Sequence, residues 1–210
     1  MRATRAIIHL ENFLRNLETV REKTGGKSRI CVPVKANAYG HGAVEVSRCA
    51  VKAGAEYLAV ATVPEGAELR AAGISAPILL FSQALPEELP DIISNELTPF
   101  VSDSDFIDVI ALAAGQVKRK VTVHLKVDTG MGRLGCSPKE ASALAVKIAS
   151  QKSLALGGVS THLAVSDSLE KDNVAYTKEQ LCKFREAVDS IKNAGIEPGI
   201  VHAANSGIFY

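Results

Sequence analysis

The sequence predicts a parallel α/β fold, and three observations carry that expectation. Short apolar runs rich in Val, Ile and Leu recur from about residue 28 onward. Longer amphipathic stretches separate them, and a glycine stands just past the end of most of those stretches. Apolar runs of that length suit strands buried on both faces of a parallel sheet, and the glycines suit helix C-termini.

A helical pattern over Leu10–Lys23 comes first. The expected strands then follow at Ile30–Ala36, Tyr57–Ala61, Ile78–Phe81, Thr98–Val101, Val121–Val127, Ala155–Thr161 and Ile200–Ala203. Between them the pattern predicts helices. Ala43–Ala53 stops at Gly54, and Val63–Ala72 has Pro64 in its first turn and Gly73 past its end. Asp103–Ala114 stops at Gly115. Pro138–Ser150 opens behind Ser137, with Glu140 placed to complete a capping box. Asn173–Ala194 is the longest and stops at Gly195.

Seven such repeats fit either a doubly wound sheet or a TIM barrel. No G-x-G-x-x-G follows the first strand, which weighs against the doubly wound alternative. A TIM (β/α)8-type barrel needs eight strands and about 250 residues. The expectation is therefore an incomplete barrel of about seven βα units within 210 residues.

Composition excludes several functions. A formal charge of +1 gives no electrostatic reason to expect nucleic acid or an anionic membrane as partner. The one compact basic run, Lys118-Arg119-Lys120, reads as a solvated loop. No apolar stretch approaches the roughly 20 residues that span a bilayer. The start, Met1-Arg2-Ala3-Thr4-Arg5, leads into too short an apolar run for a signal peptide. Cysteines 31, 49, 136 and 182 show neither close pairing nor metal-ligand spacing, and Cys31 and Cys49 read as buried small hydrophobes. No metal is expected, and a cytoplasmic setting fits.

A barrel's active site gathers at the C-terminal ends of its strands. The unusual polar residues fall there: Lys35 closes the first expected strand, Arg133 follows the fifth, His162 ends the sixth, and Asn205-Ser206 follow the seventh. Lys35 sits inside the apolar Cys31-Val32-Pro33-Val34-Lys35-Ala36, where an ammonium is costly to bury. Desolvation there would favour the neutral amine, a nucleophile suited to a Schiff base; a lysine snorkelling from a strand end is the plainer alternative. Tyr39-Gly40-His41-Gly42 then forms a flexible turn able to approach a ligand, with His41 by itself read as a turn residue.

After the fifth strand, Gly130, Gly132 and Gly135 bring backbone near a ligand, and Arg133 offers a planar fork for carboxylate or phosphate. Lys126 points the same way as His124 and Asp128 by strand alternation, and its plain reading is an ion pair with Asp128. Asn205-Ser206-Gly207 can cap a helix or hold a phosphate.

Together these segments resemble the alanine racemases, pyridoxal phosphate (PLP) enzymes with a barrel followed by a β-rich domain. Val34-Lys35-Ala36-Asn37-Ala38-Tyr39-Gly40-His41-Gly42 resembles that family's cofactor-lysine signature. Lys126-Val127-Asp128-Thr129-Gly130-Met131-Gly132-Arg133-Leu134-Gly135 resembles its second signature, and His202-Ala203-Ala204-Asn205-Ser206-Gly207 its phosphate-side segment. The first two stand in the family's order, about ninety residues apart.

The resemblance implies that Lys35 is the Schiff-base lysine and one of two bases that interconvert L- and D-alanine, the D-alanine serving peptidoglycan. It implies Tyr39 and Ser206 on the PLP phosphate, Arg133 on the phenolic oxygen and substrate side, and His162 and Asn205 as supporting or cofactor-contacting groups. Lys126 matches a position carbamylated in some members, a modification that would hold Arg133. The catalytic candidates are thus Lys35, Arg133 and His162.

It also implies a division into residues 1–9, an N-terminal strand that pairs with the C-terminal β domain, and 10–210, the PLP-binding barrel. In the family the second base is a tyrosine of the partner subunit's β-rich domain. That tyrosine, the arginine on the pyridine nitrogen and the eighth strand fall outside this chain. A homodimer is therefore expected of the longer protein, and this chain alone is expected to be inactive and to expose Ile7 and Ile8. The alternatives are a single-domain PLP-binding homeostasis protein, which lacks the Gly130-Met131-Gly132-Arg133 segment, a racemase of broader specificity, and an interaction module that takes up no PLP.

Overall fold

The computed structural model describes residues 4–209, with the side chain of Phe209 excepted. They fall into two compact units, 4–79 and 80–209, with the boundary inside β3 (Ile78–Leu80).

In the first unit, α1 (Leu10–Lys23) has the bounds its periodicity predicts. The strands β1 (Cys31–Pro33) and β2 (Tyr57–Val60) pair in parallel, Val32 opposite Leu58. α3 (Ala43–Lys52) and α4 (Val63–Ala71) follow them with Gly54 and Gly73 at positive φ beyond their ends, the conformation that glycine adopts without a Cβ clash. The first strand is three residues long rather than seven, because its continuation leaves the extended region. Lys35–Gly40 is a single helical turn, α2, in which Ala36, Asn37, Ala38 and Tyr39 all have φ between 50° and 54°.

Residues 4–9 carry no strand, and Leu10 belongs to α1, so among the described residues the expected N-terminal strand is not formed. A strand needs a neighbour for its N–H and C=O groups. Ile7 is 66% exposed, as expected for apolar residues left without a ladder. Residues 1–3 of that expectation lie outside the described ones.

The second unit is a parallel sheet in chain order: β4 (Leu97–Val101), β5 (Val121–Lys126), β6 (Leu154–Ser160) and β7 (Ile200–His202). Each strand pairs with its successor, the order of a barrel wall rather than of a doubly wound sheet. α5 (Leu89–Ser94), preceded by a 3-10 turn at Pro86–Glu88, covers a stretch where the sequence pattern marks no helix; it is six residues long and buries Leu89 and Ile92.

α6 (Ser104–Gln116) is capped by Asp103, which accepts from the Phe106 N–H at 2.8 Å, and runs through Gly115 rather than stopping at it. α7 (Ala141–Ser150) starts three residues later than predicted. Glu140 accepts from the Ser137 N–H and hydroxyl at 3.0 and 2.6 Å, so the pair closes a turn before the helix. α8 (Lys171–Asn193) is the longest helix and buries Gln180, Phe184, Ala187, Val188 and Ile191 along one face.

The cysteines correct one expectation: Cys136 is buried, whereas Cys31 and Cys49 are half-buried, and all four are free. Burial pushes the Cys31 and Cys136 thiols up to about 12. Lys118, Arg119 and Lys120 are exposed, as a solvated loop should be. Among the described residues no helix is long and apolar enough to cross a membrane, and no cluster of His, Cys, Asp or Glu could hold a metal ion.

Candidate active site

Each unit presents its own polar groups just past its strand ends. In the first, the ladder ends where the Val34 N–H donates to the Ala59 carbonyl at 2.8 Å, and Lys35 comes next. Lys35 therefore stands two residues beyond β1, half-buried, rather than embedded in an apolar strand as the sequence suggested. The physical reason is the reversal of handedness after it. Four left-handed residues without glycine cost roughly 1–2 kcal/mol each, so surrounding bonds must hold them.

Those bonds are present. Glu65, in the first turn of α4, accepts from the Ala36 N–H at 2.7 Å with one oxygen. With the other it accepts from the Ala61 and Thr62 N–H groups at 2.8 and 3.2 Å. The Asn37 side-chain oxygen accepts from the Ala43 N–H at 2.8 Å and so caps α3. The Ala38 N–H closes on the Val34 carbonyl at 2.8 Å, and His41 Nδ1 lies 2.9 Å from the Ala38 carbonyl. His41 is thereby a turn residue, as read. The turn leaves Tyr39 60% exposed, with Lys35 Nζ 5.9 Å from the centre of its ring.

In the second unit, β5 carries an inward polar layer. His124 is 2% exposed and Lys126 7%. His124 Nδ1 is 2.9 Å from His202 Nε2, and the Phe100 ring stacks on His124 at 6.3 Å. Glycine makes that reach possible: Gly158 lies opposite His124 in register, and a Cβ on it would come 2.7 Å from His124 Cε1. Burial lowers His124 to about 4. Burial, then the neighbouring His124 and Lys126, lower His202 to about 3. Both imidazoles are neutral at ordinary pH.

Lys126 Nζ lies 5.4 Å from the centre of the Phe100 ring. Burial first, and the Arg133 charge second, lower its amine to about 8 against the opposing pull of Asp128. Asp128 is not its ion-pair partner among the described residues. The two oxygens of Asp128 instead accept from the Gly130 and Gly132 N–H groups, each at 2.8 Å. They fold the loop that carries the exposed Arg133. The loop closes where the Cys136 N–H donates to the Lys126 carbonyl at 2.9 Å and the Asp128 N–H to the Cys136 carbonyl at 2.8 Å.

His162 is half-buried two residues past β6, beside the buried hydroxyl pair of Thr129 and Thr161 at 2.8 Å. Asn205 is engaged at both ends of its amide. Its side-chain oxygen accepts from Ser166 Oγ at 2.6 Å and the Gly207 N–H at 3.1 Å, and its Nδ2 donates to the Leu163 carbonyl at 3.2 Å. Asn205 thus joins the loops after β6 and β7 and caps the 3-10 turn Ser206–Phe209, leaving Ser206 exposed.

Sequence reasoning missed Glu65, Asn37, Tyr176 and Gln180. Gln180 had a visible signal: it falls on the apolar stripe of α8, where a neutral amide is out of place unless it has partners. Glu65 had none, since a first-turn glutamate also caps its own helix.

Residues 8–210 match the family model described as alanine racemase, N-terminal domain. The alanine racemase of Treponema denticola is 49% identical over 207 residues, 99% of this chain and 55% of that protein. That of Treponema pallidum is 42% identical over 209 residues, with the same 55% share of its own length. The chain thus spans about half the length of these relatives. Among solved structures, the alanine racemase of Clostridium difficile 630 is similar with a TM-score of 0.91 at 34% identity, over 96% of this chain and 52% of that one. A histidine racemase of Leuconostoc mesenteroides is similar with a TM-score of 0.85 at 26% identity, over 95% of this chain and 52% of that one. The fold is accordingly the incomplete TIM-type barrel that the strand rhythm predicts, and the chain belongs to the alanine racemase N-terminal domain family.

Proposed function

We propose that this chain is the PLP-holding part of an amino-acid racemase acting on alanine, with Lys35 as the anchor. The observation that carries the reading is the left-handed turn of Lys35–Gly40, which sets an amine and an exposed phenol at one strand end. By the family resemblance, Lys35 would hold the aldehyde carbon of PLP, Tyr39 and Ser206 its phosphate, and Arg133 its phenolic oxygen. When bound, PLP supplies an electron sink that acidifies the α-proton of an amino acid.

The chain's own residues then divide the work. Lys35 Nζ takes and returns a proton on one face of the α-carbon. Arg133, on a loop preshaped by Asp128, orients the substrate side. His162 and Asn205 keep the loops after β6 and β7 in place. Lys126, lowered to about 8, has an appreciable neutral fraction near pH 7 to 8. Addition of carbon dioxide to that neutral Nζ, with release of one proton, would give a carbamate able to hold Arg133.

In the family, the opposing base and the partner of the pyridine nitrogen come from beyond these segments. On this reading the 210-residue chain alone does not interconvert D- and L-alanine; the longer protein works as a cytoplasmic homodimer that supplies D-alanine to peptidoglycan. Measurable racemisation by the purified chain would refute that part.

The test of the site is borohydride reduction of the chain in the presence of PLP, followed by peptide mapping. Label on Lys35, and loss of the visible absorbance in Lys35→Ala, are expected; label elsewhere would overturn the assignment. A second reading, broader substrate choice, finds support in the histidine racemase among the similar structures. A panel of amino acids assayed with the longer protein separates the two.

A further inference from the structure

The second unit contains an amide that the roles above leave unused. Gln180 lies on α8, 0% exposed, and its side chain bonds to both loops that carry Arg133 and His162. Its Oε1 accepts from the Ala164 N–H at 2.9 Å. Its Nε2 donates to the His162 carbonyl at 3.1 Å and to Thr129 Oγ1 at 3.3 Å. The partners fix the amide's orientation, since a backbone N–H can only donate and a carbonyl only accept. Thr129 Oγ1, accepting from Gln180, also shares a hydrogen bond with Thr161 Oγ1 at 2.8 Å, which extends the network between the same two loops.

One helical turn earlier, at i−4 on the same face, Tyr176 donates its hydroxyl to the Gly130 carbonyl at 2.7 Å. Gly130 has φ 143°, and a Cβ on it would collide with the Tyr176 hydroxyl. The loop is therefore seated on α8 at two successive residues, Thr129 and Gly130, on the N-terminal side of Arg133. Both anchoring groups are neutral and directional, so they set distance and angle without adding charge.

We propose that Tyr176 and Gln180 form a brace on α8, with Gln180 a positioning residue that fixes the Arg133 loop relative to the His162 segment. Its bearing on the cofactor rests on the proposed PLP site; its geometry does not. Burying an amide with one partner removed is costly, so loss of either loop's bond loosens both.

Gln180→Glu is the informative variant. A protonated carboxyl can accept from Ala164 and donate to the His162 carbonyl, as the amide does. A carboxylate has no proton to donate, and faces that carbonyl with a negative charge. The brace should then work at low pH and fail as the buried carboxyl ionises; ionisation of a carboxyl that only packed would loosen the surrounding helices, α7 included, rather than these two loops alone.

The experiment is hydrogen–deuterium exchange on the 210-residue chain over residues 128–136 and 161–165, together with PLP titration followed by visible absorbance. For Gln180→Met, exchange in both segments should rise by roughly tenfold, about what one lost buried hydrogen bond is worth. α7 should be unchanged, and PLP affinity should fall severalfold. Gln180→Glu should match the wild type near pH 5 and match Gln180→Met near pH 8. Tyr176→Phe should loosen 128–136 alone.

Unchanged exchange in Gln180→Met, or pH-independent behaviour of Gln180→Glu, would overturn the brace. If the wild-type chain takes up no PLP on Lys35 while the exchange pattern holds, the cofactor reading fails and the brace stands. If PLP labels Lys35 but the exchange is unmoved, the brace fails and the cofactor reading stands.

Discussion

The Lys35 turn and the Arg133 loop solve one problem in opposite ways. Each must turn the chain sharply after a strand and hold a cationic side chain at its end. The Lys35 turn does so with four non-glycine residues forced to positive φ, and relies on Glu65 and Asn37 to hold them. The Arg133 loop places Gly130, Gly132 and Gly135 at its positive-φ positions, and relies on Asp128 and the α8 side chains to choose one shape. One region is strained and clamped; the other is permissive and pinned. Added methyl groups should destabilise the glycine loop, whereas removing one from the strained turn should stabilise it.

The largest effect is expected at Gly135, where a Cβ would run into the Asp128 backbone N and lie 2.7 Å from the Val127 carbonyl carbon. Backbone cannot rotate away as a side chain can. Gly135→Ala should cost about 3 kcal/mol or more of stability, read as the shift of the urea midpoint. A variant as stable as wild type would show that the loop is not pinned.

Next comes Glu65→Ala in the strained region. It leaves the Ala36, Ala61 and Thr62 N–H groups without their acceptor, at a cost of about 2–3 kcal/mol. Exchange should accelerate over residues 35–42, with the 128–136 segment unmoved. Equal acceleration in both would break the comparison.

An intermediate effect follows from the neutral histidine pair. Both folded-state values, about 4 and about 3, lie below the ordinary 6.5, so the unfolded chain binds more protons between those limits. Stability from this pair is complete above pH 6.5 and is lost as pH falls toward 3–4. Thermal midpoints should drop over that window with up to two protons taken up, and His124→Phe should flatten the slope.

The smallest effects are the sharpest test of the contrast. Gly132 has φ 70° with nothing near its Cβ position, so Gly132→Ala should cost only about 1 kcal/mol of backbone strain. Ala36, at φ 50° and exposed, should respond the other way: Ala36→Gly should stabilise by up to about 1 kcal/mol, measured by calorimetry. A destabilised Ala36→Gly would mean that the turn is not strained.

Most of the fold was legible in the sequence. Helix periodicity fixed Leu10–Lys23 to the residue, and every expected strand falls within a few residues of an observed one. The misses share a cause: each depends on a partner distant in the chain. β1 ends early because Glu65, 29 residues beyond Ala36, stabilises the reversal of handedness there. Lys126 is no partner of Asp128 because that carboxylate is taken by the loop it begins. α5 is too short for its two buried apolar residues to make a period.

The lysine, arginine and serine of the candidate site stand out in the sequence because cationic and small polar groups at apolar strand ends are conspicuous one residue at a time. By itself, then, the sequence determined the repeat, the strand ends and the chemistry offered there, since hydrophobic period and residue type are local properties. Only the tertiary structure decided that Lys35 leaves the strand on a left-handed turn, that Gly158 lets His124 reach His202, and that Gln180 joins two loops. Those are choices among hydrogen-bond partners, and a buried donor's partner is selected by the space around it rather than by its neighbours in the chain.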